Sequence, residues 1–131
     1  MMQGIPSSHQ DLMADENRAY AYLSTVMKNG SPQVTPVWFN MDGDHILINS
    51  KEGRVKDINM KARPKVGILI MQPQDQMKYL SIQGTVVEII EEGAVKHIED
   101  LGIKYENTKF RVPADTVRLI YKIRLDNTYA G

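Results

Sequence analysis

From Ala19 to Met27 the chain reads Ala-Tyr-Ala-Tyr-Leu-Ser-Thr-Val-Met, a run of aromatic and β-branched residues closed by the turn signal Lys28-Asn29-Gly30-Ser31. This predicts a first strand, with a second returning over Gln33 to Met41. Asp42-Gly43-Asp44 is another tight turn, and His45 to Asn49 follows as a third strand with Ile46 and Ile48 on one face. Pro36 lies inside the second strand, where it cannot donate to a ladder. That strand is therefore expected at an edge, or bulged, around Thr35 to Val37.

The period changes on either side of this meander. Ser7 or Ser8 can cap a short helix through Gln10 to Met13. After Ser50-Lys51-Glu52-Gly53, the residues Val55, Ile58 and Ala62 recur at i, i+3 and i+7, predicting a short amphipathic helix that stops before Pro64. Lys65 to Met71 is almost continuously apolar and reads as a strand. After the loop Gln72 to Gln76, a longer strand runs from Lys78 to about Ile90, with Gly84 marking a bulge or a barrel bend. From Glu91 to about Tyr105, Val95, Ile98 and Leu101 define the main helix. A closing strand, Thr116 to Leu125, alternates Val117, Leu119, Tyr121 and Ile123 against Arg118, Lys122 and Arg124, with Ile120 out of step. Hairpin turns leave no room for parallel crossovers, so these six strands predict a mainly β fold, an antiparallel β-barrel with short helices.

With 131 residues the chain has the size of a single domain. Lys plus Arg equals Asp plus Glu at 16 each, so no global positive field draws it to nucleic acid or an anionic membrane. Any anion must be met by a local cluster. The absence of cysteine excludes disulfides, thiolate metal sites and cysteine nucleophiles. Met1 to Ser8 has no basic patch followed by an apolar core, and no apolar run approaches the roughly 20 residues that span a bilayer. A cytoplasmic location is expected.

Candidate chemistry concentrates in Asn49-Ser50-Lys51-Glu52-Gly53-Arg54-Val55-Lys56, a strand end passing through a glycine loop into a helix start. Amides at a helix N-terminus, the Ser50 hydroxyl, the Arg54 fork and the Lys56 point charge are the parts of a phosphate cradle. The same parts also occur in solvated turns. Trp38 and Phe39 read as core, or as the wall of a planar ring docked beside the interrupted strand. His9, His45 and His97 fall in three separate elements and give no support for a metal site. No nucleophile–base pair or carboxylate dyad stands out, so no catalytic residue is assigned. Eight methionines read as gap-fillers, and Lys28 and the charges of the last strand as a solvated face.

The order Gln33-Val34-Thr35-Pro36-Val37-Trp38-Phe39, then Asp42-Gly43, Asn49-Ser50, Gly53-Arg54-Val55-Lys56 with Asn59, and Pro64-Lys65-Val66 resembles the pyridoxamine 5′-phosphate oxidase-like flavin-binding split barrels. Within that family it is most similar to the small flavin and deazaflavin oxidoreductases, over about Ala21 to Gly84. The resemblance implies a single flavin-binding split-barrel domain over residues 1–131. It implies FMN as cofactor, or alternatively the deazaflavin coenzyme F-420, with the phosphate at Arg54, Lys56, Asn49 and Ser50. Thr35, Pro36, Val37 and Trp38 would line the ring. It further implies a homodimer with the cofactor at the interface, and hydride transfer to or from a small organic substrate. A non-catalytic flavin or heme carrier or sensor on the same fold is the alternative. The C-terminal substrate signature of the vitamin-synthesising oxidases is not found near Arg118 to Gly131, so pyridoxamine phosphate is not the expected substrate.

Overall fold

A computed structural model describes residues 4–131; the first three residues of the Met1–Ser8 segment lie outside this range. Two short 3-10 helices, Ser7–Met13 and Asp15–Asn17, lead into β1 (Tyr20–Val26), β2 (Pro32–Val37), β3 (Phe39–Asp42) and β4 (His45–Lys51). Helix α1 (Val55–Ala62), β5 (Lys65–Gln72), β6 (Asp75–Ile90), α2 (Ala94–Glu106) and β7 (Arg118–Ala130) complete the chain. Among the described residues all seven strands form one antiparallel sheet in the order β2-β1-β5-β6-β7-β4-β3.

The seventh strand arises because the stretch expected as one strand is broken at Trp38. Its first part pairs with β1 at one edge of the sheet and its second with β4 at the other. Val37 and Phe39 are two residues apart, and so within about 7 Å of each other. The two edges are tied together there, and the sheet must curl into a barrel with a seam at Trp38. Pro36 sits on the edge strand opposite Tyr22, where a missing donor does least harm. The ladder between β6 and β7 shifts register at Gln83/Gly84, where a Cβ on Gly84 would lie 2.8 Å from Ile123 Cγ2 and 2.9 Å from the Arg124 carbonyl. Only glycine admits that bend.

The barrel interior is filled by the inward alternation of the strands, with Leu23, Ile46, Ile70, Leu80 and Ile123 at or near zero exposure, while Leu12 and Met13 of the first 3-10 helix join the same cluster. Each such side chain contributes about 1.5–3 kcal/mol by leaving water. Strand β7 runs five residues beyond the expected Leu125, pairing Asn127 to Ala130 with Gln83 to Leu80. Ile120, out of step in sequence, is buried on the opposite face from Tyr121, where α2 packs on β7.

Both helices correct the expected faces. In α2 the buried residues are Ala94, Ile98, Leu101 and Gly102, and Val95 is exposed. In α1 the expected apolar face, Val55, Ile58 and Ala62, points outward, and the buried residues are Asp57, Asn59 and Met60. The polar pair is tolerated because its hydrogen bonds are made. The Asn59 amide donates to Thr25 Oγ1 at 3.0 Å, and Arg63 donates to Asn59 Oδ1 at 3.2 Å.

Candidate functional site

The loop between β4 and α1 is held by Asp57. Its carboxylate accepts the Gly53 amide at 2.9 Å, the buried Tyr121 hydroxyl at 2.5 Å and Lys61 Nζ at 3.2 Å. Burial alone would raise the Asp57 pKa, but these donors outweigh it and hold the group below its ordinary value. The same burial, with the bond to Asp57, pushes the Tyr121 hydroxyl up. A rigid loop therefore presents Arg54 at the helix N-cap and Lys56 in the first turn, two cations at the helix end whose dipole repels them. All three loop amides are already used, Glu52 by the Val117 carbonyl at 2.8 Å, Gly53 by Asp57 and Arg54 by the Lys51 carbonyl at 3.4 Å. The anion-binding capacity of this segment thus rests on side chains and the first-turn amides.

A third cation joins them from β7. Arg118 pairs with Lys51 across β4, is half-buried, and stands over the Phe110 ring at 5.3 Å. Burial first, then the charges of Arg54 and Arg118, holds Lys56 below the usual lysine value; burial and Arg54 likewise depress Arg118. Among the described residues no carboxylate comes within ion-pair distance of any of the three, although eight other ion pairs form. Three like charges gathered without a counter-ion are an arrangement that an anion relieves.

Beside these cations, at the barrel seam, lies a cavity of about 430 Å³. Its walls are Tyr20 and Tyr22 of β1, Pro36, Val37 and Trp38 of the seam, Asn49, Lys56, and Ile98, Tyr105 and Glu106 of α2, with Phe110. Trp38 stacks on Tyr105, centroids 5.5 Å apart and planes 8° apart, and meets Phe110 edge-on at 6.0 Å. The stack is fixed from behind: Tyr105 donates to the Ala19 carbonyl at 2.9 Å, and the neighbouring Lys104 donates to the Phe39 carbonyl at 2.6 Å. Gly102 lets the loop 107–117 lie against α2, since a Cβ there would come within 2.5 Å of the Phe110 amide nitrogen. A second concavity, about 460 Å³ around Ser24, Gly67, Gln83 and Asp126, has neither aromatic walls nor the cation cluster.

A family model described as pyridoxamine 5′-phosphate oxidase matches residues 9–129. The chain belongs to this family. A search of curated protein sequences returns no match. Among solved structures, the chain is similar to an F-420 reductase with 28% identity, 95% of this chain and 98% of that one covered, and a TM-score of 0.85. A conserved hypothetical protein from Mycobacterium tuberculosis aligns at 17% identity over 96% of this chain and 84% of its own, TM-score 0.75. HupZ from Group A Streptococcus aligns at 20% identity over 96% and 93%, TM-score 0.71. The last two establish the split-barrel fold alone.

Of the residues that the family resemblance assigns to a cofactor, Pro36, Val37, Trp38, Asn49 and Lys56 line the one cavity. Thr35 reaches it through Lys56, whose Nζ donates to Thr35 Oγ1 at 3.1 Å. Ser50, buried, and Arg54, exposed, both lie outside the lining. The Asn49 side chain is wholly engaged within the protein, bonding Arg118, the Ala94 carbonyl and His97. Trp38 and Phe39 divide the two roles read for them, since Phe39 is core and Trp38 is wall. Reading the charges of the last strand as a solvated face fails for Arg118. The signal was present in Ile120, because a buried residue on the outward side of β7 means that this side is covered, and Arg118 lies two positions away on the same side. Among the described residues no cluster of three or more His, Asp or Glu side chains forms a metal centre, and no helix is long and apolar enough to cross a membrane.

Proposed function

We propose that this chain is an oxidoreductase holding a flavin-type cofactor, its phosphate at Arg54 and Lys56 beside the Asn49-Ser50 strand end and its ring along Thr35, Pro36, Val37 and Trp38. The observation that carries the reading is a group of cations with no carboxylate partner among the described residues, one of which, Lys56, enters an aromatic-walled cavity. The cations match a phosphate, and the walls match a planar, largely apolar ring. Deazaflavin F-420 is the favoured cofactor, on the strength of the F-420 reductase similar at 28% identity over nearly the whole chain; FMN is the alternative.

When bound, such a cofactor supplies the hydride chemistry. The protein's own groups bind, orient and exclude water. Lys56 and Arg54 fix the anionic end, while the Trp38–Tyr105 stack and Phe110 keep solvent from one side of the ring site. Glu106 is the one carboxylate in the wall, and it is exposed; substrate orientation falls to the aromatic side chains. The reading takes residues 1–131 as a single flavin-binding domain and includes a homodimer whose second copy completes the pocket. The apolar face that α1 leaves in water, Val55 and Ile58, supports that association.

The test is to titrate F-420 and FMN into the protein and into the double variant Arg54→Ala, Lys56→Ala. One cofactor should bind at micromolar or better affinity, and the double variant should lose it. Arg54→Ala alone should weaken binding by about 2 kcal/mol, roughly thirtyfold. Failure of both cofactors to bind the unaltered protein ends this reading. Oxidation of the bound, reduced cofactor by added acceptors then separates an enzyme from a carrier.

A further inference from the structure

Behind the cation cluster, a line of polar side chains joins four elements. Arg118 Nε donates to Asn49 Oδ1 at 2.8 Å; Asn49 Nδ2 lies 2.8 Å from the Ala94 carbonyl and 3.1 Å from His97 Nδ1; His97 Nε2 lies 2.8 Å from Asn40 Oδ1. Only one assignment of protons satisfies all four contacts. A guanidinium can only donate, so the Asn49 oxygen must face Arg118; a backbone carbonyl can only accept, so the Asn49 NH2 must face Ala94. The second hydrogen of that NH2 points at His97 Nδ1, which must then be a bare lone pair. The imidazole proton is left on Nε2, where it donates to Asn40.

We propose that Arg118 is the third cation of the anion site and that His97 is its positioning residue, a neutral Nε2–H imidazole that locks the Asn49 amide so that its oxygen aims the Arg118 guanidinium at the Arg54–Lys56 cradle. Anchoring through Nε leaves both terminal nitrogens of Arg118 free for an anion, the arrangement that suits bidentate phosphate binding. Among the described residues they have no carboxylate partner. An arginine anchored at Nε also gives up less freedom when the ligand arrives, which favours affinity. The neutral state of His97 fits its surroundings: burial, with a smaller contribution from Arg118, brings its pKa down to about 4, although Asp100 on its own helix opposes this. Protonated, the ring would turn an N–H toward the Asn49 N–H and undo the lock.

The inference rests on the cofactor reading for the identity of the anion, but the relay can be examined without it. In protein labelled with nitrogen-15 at histidine and arginine, His97 should show a bare Nδ1 and a protonated Nε2 at neutral pH, and the Arg118 Nε–H should exchange slowly. A proton on Nδ1, or a rapidly exchanging Arg118 Nε–H, overturns the proposal. Binding of pyrophosphate, F-420 and FMN is then compared across variants. Arg118→Gln and His97→Phe should each weaken binding about tenfold, and the double variant should be no weaker than Arg118→Gln alone, because the imidazole acts through the arginine. His97→Asn, whose amide oxygen can occupy the Nδ1 position, should restore binding to within about threefold of the unaltered protein. Additive losses, or full binding by His97→Phe, overturn the relay. If pyrophosphate follows this pattern while neither F-420 nor FMN binds, the relay stands and the cofactor reading falls.

Discussion

Helices α1 and α2 of this barrel solve opposite problems. Helix α2 buries Ala94, Ile98 and Leu101 and contributes Tyr105 to the cavity wall, so an apolar side faces the protein although Val95 and Ile103 stay exposed. Helix α1 turns Asp57 and Asn59 inward beside a single apolar residue, Met60, and leaves Val55 and Ile58 in water. An inverted helix is a poor way to stabilise a fold, and it begins with two cations at its positive end. The departure is intelligible if α1 is arranged for ligand and partner rather than for the core, since local rules are broken where a site requires it.

The sharpest way to break the comparison is to remove what makes the inversion tolerable. Asp57→Ala leaves the Tyr121 hydroxyl, on a fully buried side chain, and the Gly53 amide without their acceptor. A loss of about 3 kcal/mol is expected, read as a lowered urea midpoint with an unchanged slope. Truncating the outward Val55 should cost no more than about 0.5 kcal/mol on the same assay. If the two substitutions cost the same, the polar side of α1 is not what seats it.

On α2 the corresponding break is Gly102→Ala. The added methyl would collide with the backbone at Phe110 and Thr108, neither of which is a flexible side-chain tip. Overpacking of this kind should cost about 2 kcal/mol and push the loop 107–117 outward. Trp38 is the sole tryptophan, and Phe110 packs edge-on against it, so the indole emission should shift red as the loop lifts. Unchanged emission would mean that the loop is not held at Gly102.

How much of this was legible before the structure depends on how local each determinant is. The strands between Tyr20 and Ile90 were readable because alternation and turn residues act over a few positions. The break at Trp38 was not, since Trp38-Phe39 looks like continuous strand and only sheet closure sends the two halves to opposite edges. Likewise, the closing strand is expected to end at Leu125, where the apolar alternation stops, yet pairing with β6 carries β7 on to Ala130. In the site, Asn49, Arg54 and Lys56 share one short segment and stood out together. Arg118, His97 and Tyr105 lie far from that segment in sequence and join it only through register and helix packing, which composition and spacing do not encode.

Acid should sharpen the contrast by a smaller amount. The folded-state pKa of His97, about 4, lies below the ordinary 6.5, so as pH falls through that window the unfolded chain takes up the proton first and stability drops. The loss should be about 1–2 kcal/mol once solvent screening of the half-buried ring is allowed for. Below the ordinary carboxylate value of 3.8 the depressed pKa of Asp57 adds a second loss in the same direction. Replacing His97 by Asn should flatten the Tm profile between pH 6.5 and 4 and leave the steeper fall below it. A profile unchanged by that substitution would place the titrating group elsewhere.

The smallest effect on the folded chain, and the most informative about α1, is expected from Ile58→Lys. Ile58 is 56% exposed, so the substitution removes few packing contacts and should move the urea midpoint of an isolated subunit by no more than about 0.5 kcal/mol. In the proposed homodimer the same side chain would be covered, and a buried lysine without a partner disfavours association strongly. Sedimentation velocity at two protein concentrations should therefore show the unaltered chain as a dimer and the variant shifted toward monomer. A variant that stays dimeric would leave the outward face of α1 without a partner in the assembly. The inverted helix would then have to be explained by the anion site alone, through the requirement that Asp57 hold the loop carrying Arg54 and Lys56.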